Sequence, residues 1–135
     1  MSTNASISIQ LNKKEKSGKS IYNHWDGYPD FVGVRLLNFY NTEEKVKELI
    51  EMGNVSILGE CIGSKTKFDG FNSQESNQCL FYGRDRGDED EKPIDYKGDV
   101  SRYEWNYLFK DGKWYVAKYD GRFTKMTIEK SLNKY

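Results

Sequence analysis

The chain is poor in the residues that most often carry chemistry or cross-links. Its 135 residues include one histidine, two cysteines and two prolines. A single imidazole with the widely spaced Cys61 and Cys79 cannot assemble the usual four-ligand structural zinc site, so no metal is expected. No apolar stretch approaches the roughly 20 residues that a membrane helix needs, so no membrane contact is expected. Residues 1–10 lack the basic segment and apolar run of a signal peptide. A cytoplasmic protein with both thiols reduced is the resulting expectation. Walker A, G-x-G-x-x-G, H-E-x-x-H and G-x-S-x-G patterns are all missing, so no cofactor is implied. An excess of either charge is also missing. Lys+Arg and Asp+Glu each number 21, a balance that argues against a basic nucleic-acid coat and against an acidic DNA mimic. Nucleic acid is therefore not a favoured partner.

What is present is aromatic. Phe, Trp and Tyr make up 15% of a chain whose mean hydropathy is -0.87. Rings bury more area than aliphatic side chains, so a polar-looking sequence of this length still fills the core of one domain spanning 1–135. Ile7, Ile9 and Leu11 alternate with polar residues as in a half-buried strand. The polar run 13–19 with Gly18 reads as a turn, and residues 20–25 as the returning strand. Asp26-Gly27 and Tyr28-Pro29 end that strand at a fixed corner. Val32, Leu36, Phe39 and Tyr40 then follow helical spacing. Asn41 is the expected cap of a second helix, with Glu44 completing a capping box, Val46, Leu49 and Ile50 on its buried side, and Gly53 as its stop.

Residues 55–58 read as a short strand or an extended connection, 59–77 as a long loop, 79–82 as a short strand, and 83–99 as a charged excursion. The strongest strand signal is Tyr103, Trp105, Tyr107 and Phe109, turning at Asp111-Gly112 into residues 114–119. Asp120-Gly121 turns the chain again toward 123–126, and 127–132 is a last helical turn or a frayed end. Strands outnumber helices and the helices are consecutive. The expected fold is α+β, a mainly antiparallel sheet with a helix pair packed on one face.

Two clusters stand out chemically. The first, 22–30, gathers His24, Trp25, Asp26, Tyr28 and Asp30 where a strand meets a helix. His24 could act as a general base oriented by Asp26 or Asp30, because an imidazole exchanges protons near neutral pH. Trp25 and Tyr28 could instead stack on a ligand, or the rings could simply pack the corner. The second cluster is Gly83-Arg84-Asp85-Arg86-Gly87-Asp88. Its two arginines could fork a phosphate or carboxylate, or pair with the neighbouring acids on a solvated loop. The rings of Tyr103, Trp105, Tyr107, Trp114, Tyr115 and Tyr119 read as core more than as a base-stacking face. Cys61 or Cys79 as a nucleophile would need His24 within reach.

The strings Ile21-Tyr22-x-His24-Trp25-Asp26-Gly27-Tyr28-Pro29, Leu36-Leu37-x-x-Tyr40-Asn41-Thr42-x-Glu44-Lys45-Val46, Leu58-Gly59, Tyr82-Gly83-Arg84-Asp85-Arg86-Gly87 and 107–116 resemble a family of small uncharacterised bacteriophage and prophage proteins. The resemblance covers nearly the whole chain, and 63–77 and 92–102 depart from it. It implies a phage-encoded protein acting in the host cytoplasm, and it transfers no activity, cofactor or catalytic residue. Phages devote small accessory proteins to blocking host enzymes and immune systems, so a counter-defence inhibitor, comparable in strategy to anti-CRISPR proteins, is the implied role.

Two functional classes follow. In one, the chain is a binder that occupies a host protein or a small phosphorylated or nucleotide ligand through His24, Trp25, Asp26, Tyr28, Arg84, Asp85 and Arg86. In the other, it is a small hydrolase or transferase acting on a nucleotide-type substrate, with His24 as general base and Asp26 beside it. An assembly role in the phage particle is a blander third reading, and an exposed strand edge or ring patch leaves a homodimer open.

Overall fold

Alternation along the first strand places Ala5, Ile7 and Ile9 on one side of a sheet and Ser6 and Ser8 on the other. The computed structural model describes residues 2–69, 76–100 and 102–133. Strand β1 (Ala5–Asn12) pairs antiparallel with β2 (Ser17–Asn23), and the turn between them occupies 13–16. Gly18, expected in that turn, lies inside β2.

A π-helical turn (Pro29–Gly33) runs into α1 (Val34–Phe39), followed by α2 (Glu43–Glu51), β3 (Val55–Ile57), β4 (Leu80–Phe81) and α3 (Tyr82–Arg86). Then come β5 (Ile94–Lys97), β6 (Trp105–Lys110), β7 (Lys113–Lys118), β8 (Thr124–Lys125) and α4 (Ile128–Asn133). The sheet order is β4-β3-β2-β1-β6-β7-β8, with β5 also paired to β2. Most neighbours are antiparallel. The β1–β6 and β2–β3 pairs are parallel.

The fold is thus α+β, and the two consecutive helices cover one face. Val32, Leu36, Tyr40, Val46, Leu49 and Ile50 pack with Ile7, Ile21, Tyr107 and Trp114 in one apolar core. Burial of that many large side chains, at about 25 cal/mol per Å² of apolar surface, is the main force holding helices to sheet. The opposite face carries a smaller core of Tyr96, Val100 and Leu108, with Phe123 against it. Among the described residues no helix is long and apolar enough to cross a membrane.

Several local expectations change. Thr42, not Asn41, caps α2, its side chain accepting from Lys45 N–H at 3.2 Å. The third helical position is then Lys45, so no capping box forms. Phe39, the last residue of α1, is exposed, whereas Tyr40 after it is buried. Leu11 is exposed too, beyond the part of β1 that the helices cover. The charged excursion 83–99 contains regular structure after all, namely the C-terminal part of α3 and strand β5. Residues 59–69 of the long loop 59–77 form no helix or strand, a bridge joins Cys61 to Gln78, and 70–75 lie outside the described residues.

Candidate functional site

The end of β2 is held on several sides by the backbone. His24 N–H donates to the Val55 carbonyl at 3.1 Å and Trp25 N–H to that of Ser56 at 3.0 Å. Asp26 takes a left-handed φ of 54°, a conformation that short polar residues tolerate, and the chain turns sharply there. Gly27 N–H then donates to the Thr3 carbonyl at 2.8 Å, while the buried Tyr107 hydroxyl donates to the Gly27 carbonyl at 2.7 Å. The corner expected from Asp26-Gly27 and Tyr28-Pro29 is present, and it is fastened to β3, to the N-terminal segment and to β6.

On this fixed backbone two large rings face outward. Trp25 is 43% and Tyr28 37% exposed. The Tyr28 hydroxyl donates to Asp26 Oδ1 at 2.8 Å, and that bond, with burial and the neighbouring acids, raises the tyrosine's pKa. Asp26 is therefore engaged with Tyr28, and the hydrogen bond to His24 comes from elsewhere. Tyr22 Oη lies 2.6 Å from His24 Nδ1. Burial, followed by Tyr82, Tyr103 and Glu91, raises the Tyr22 pKa, so the phenol keeps its proton. The Nδ1 side of the ring thus meets a tyrosine and not a carboxylate, so Asp26 does not orient the imidazole as a base.

The aromatic contacts form a chain across the outer face. Tyr103 and Tyr22 ring centroids are 5.3 Å apart, Tyr22 and His24 5.8 Å, and His24 and Trp25 4.7 Å in an edge-to-face contact. Asn54 supports this row, accepting from Tyr22 N–H at 2.8 Å and donating to Glu91 at 2.6 Å. Tyr103 and Asn54 are participants that sequence reading missed. Nothing local marks Asn54, whereas the tyrosine's place at the start of a strong strand pattern drew it into the expected core.

The second cluster reaches the same end of the sheet, since Tyr82 N–H donates to the Asn54 carbonyl on the other side of β3. Its arginines behave differently from each other. Arg84 spends its fork internally: Nε and Nη2 bond both Asp85 oxygens at 2.8 and 3.0 Å, Nη1 the Ile62 carbonyl at 2.8 Å, and Nη2 the Cys79 carbonyl at 3.0 Å. Asp85 in turn accepts from Phe81 N–H and Thr66 N–H at 2.8 and 2.9 Å. Its side chain is 0% and that of Arg84 13% exposed. Burial opposes the Asp85 carboxylate, but Arg84 and the two amides outweigh burial and lower its pKa. This pair knits loop to strand and leaves little for an anionic ligand. Arg86 is exposed, ion-paired with Asp88 and laid against Tyr82 and Phe68, at 4.6 and 5.2 Å from their ring centres.

The aromatic stripe divides. Tyr107 and Trp114 are core, Trp105 and Tyr115 are half-buried, and Tyr119 is exposed. Both cysteines are free thiols. Cys79 is buried, and burial pushes its thiol up despite the Tyr40 hydroxyl at 3.3 Å, which does not suit a nucleophile. No group of three or more His, Cys, Asp and Glu side chains among the described residues could hold a metal ion.

No protein-family model, curated protein or solved structure matches this chain.

Proposed function

We propose that this protein works as a binder, and that its working surface is the corner formed by His24, Trp25, Asp26 and Tyr28. The observation that carries the reading is the combination of two exposed rings with a backbone tied down by four hydrogen bonds to three other segments. Aromatic anchors that need no ordering on association supply much contact area at low entropic cost, which is the physics of interface hot spots. A host protein is the partner this surface suits best. Arg86, exposed and ion-paired with Asp88, adds a charged group for a rim contact, whereas Arg84 and Asp85 are spent on each other and on backbone groups of residues 62–81. The resemblance to small phage proteins gives the proposal its biological form: a phage-encoded accessory or counter-defence inhibitor in the host cytoplasm. The hydrolase or transferase reading has weaker support, because His24 is held by Tyr22 while Asp26 is occupied by Tyr28.

The test is affinity capture from host lysate with the parent chain and with the Trp25→Ala/Tyr28→Ala double variant, joined to mass spectrometry of small molecules released on denaturation. A partner captured by the parent and lost by the folded double variant is the expected result. Equal capture by both would remove the corner from the site. Turnover of a nucleotide that His24→Gln abolishes would replace the binder with an enzyme.

A further inference from the structure

The far end of the sheet from this corner carries a concentration of positive charge. Lys110 on β6 stands directly opposite Lys113 on β7, and Lys125 on β8 stands opposite Tyr115, two residues along from Lys113. Side chains two apart on a strand share a face, so Lys110, Lys113, Tyr115 and Lys125 lie together on the face away from the helices. Lys110 Nζ sits 4.8 Å from the centre of the Tyr115 ring. Lys113 lies close enough to Lys125 to lower the latter's pKa, first by charge repulsion and then by direct contact of the side chains. Lys110 and Lys113 make no ion pair among the described residues, and the nearby Asp111 pairs with Lys13.

Like charges directly opposed across a strand pair destabilise the sheet. A lysine on an edge strand guards against strand addition, but that role asks for one charge along the edge and not for an opposed pair behind it. Three lysines on one face, one of them over the Tyr115 ring, have a different use: together their ammonium groups can surround a polyvalent oxyanion. We infer that this face binds a phosphate-bearing ligand through Lys110, Lys113 and Lys125. The site is separate from the corner, because Trp105, at the start of β6, pairs with Ala5, which pairs with Asn23 at the end of β2. Lys110 lies at the other end of β6, about 16 Å further along by strand rise.

Inorganic pyrophosphate is the first probe, titrated by calorimetry at low salt into the parent, into Lys113→Gln/Lys125→Gln and into Lys113→Arg. The parent and the charge-preserving arginine variant should bind. The double variant should bind at least about tenfold more weakly per charged hydrogen bond lost. Its unfolding midpoint, equal to or above the parent's because repulsion has been relieved, shows that the fold is intact. A short oligothymidylate in place of pyrophosphate identifies the source of the phosphate. Binding of the strand alone, lost in the same variant, places the same chemistry on a nucleic-acid backbone. No binding of either probe by the parent, or undiminished binding by the double variant, overturns the inference. Trp25→Ala should bind the probe normally, which separates this site from the corner.

Discussion

The indole N–H of Trp114 donates to the backbone carbonyl of Tyr40 at 2.8 Å, joining β7 to the residue that ends α1. The ring itself is buried against Phe109 with centroids 5.2 Å apart. Tyr40 completes the joint from below, its hydroxyl donating to the Gly59 carbonyl at 2.8 Å while burial pushes its pKa up. The helix layer is thus fastened to the sheet by direction-specific bonds as well as by apolar contact. Trp114→Phe keeps most of the apolar area and removes the donor, leaving a buried carbonyl without its partner. The expected cost is about 1–3 kcal/mol in urea unfolding, with little change in the slope.

Asp85 makes an acid-sensitive joint. Its folded pKa is lowered, so the stabilisation it contributes is present above the ordinary carboxylate value and is lost as pH falls through the folded value. Asp85→Asn should therefore destabilise at neutral pH, on the order of 3 kcal/mol because Arg84 is left buried without its counter-charge. The gap between parent and variant should narrow toward low pH, read from urea midpoints across an acid series.

Tyr96 sets the opposite limit. Burial pushes its phenol up to about 12, and its hydroxyl finds no partner among the described residues beside a cavity of about 30 Å³. A raised pKa contributes stability that is full below the ordinary tyrosine value and is lost as pH rises through about 12. Tyr96→Phe should remove that alkaline loss. At neutral pH it should leave stability equal or raise it by about 1 kcal/mol, since an unsatisfied buried hydroxyl disappears.

The β6–β7 hairpin depends on two residues with positive φ, Asp111 at 52° and Gly112 at 75°. Gly112→Ala should cost about 1 kcal/mol through backbone strain alone, because nothing stands within 4 Å of the added methyl. Thermal unfolding of the variant measures it.

That hairpin also shows what was readable in advance. Asp-Gly between alternating rings is a local signal, and local signals survive folding. The strand pattern of β1, the helix pair and the stop at Gly53, with its φ of 84°, belong to the same kind. Strand β5 escaped because it buries only Tyr96 among four residues, so its alternation is drowned by Ile94, Asp95 and Lys97. The cap moved from Asn41 to Thr42 because both residue types cap well and only the path of the chain chooses between them. At the candidate site, the corner was legible from Asp26-Gly27-Tyr28-Pro29. Of the partners of Arg84, the adjacent Asp85 was legible as a neighbouring acid, but the Ile62 and Cys79 carbonyls were not, because no pattern declares which carbonyl a guanidinium will meet.

The parallel pairing of β1 with β6 brings Ala5 beside Trp105, partners a hundred residues apart. The hairpin of β1 and β2 can form early, yet its free side stays open until the chain has been synthesised past Phe109. Closing so long a loop is slow compared with local helix and hairpin formation. During translation the nascent protein therefore displays an unpaired, isoleucine-bearing strand, and its productive folding competes with association of neighbouring chains until the final third arrives.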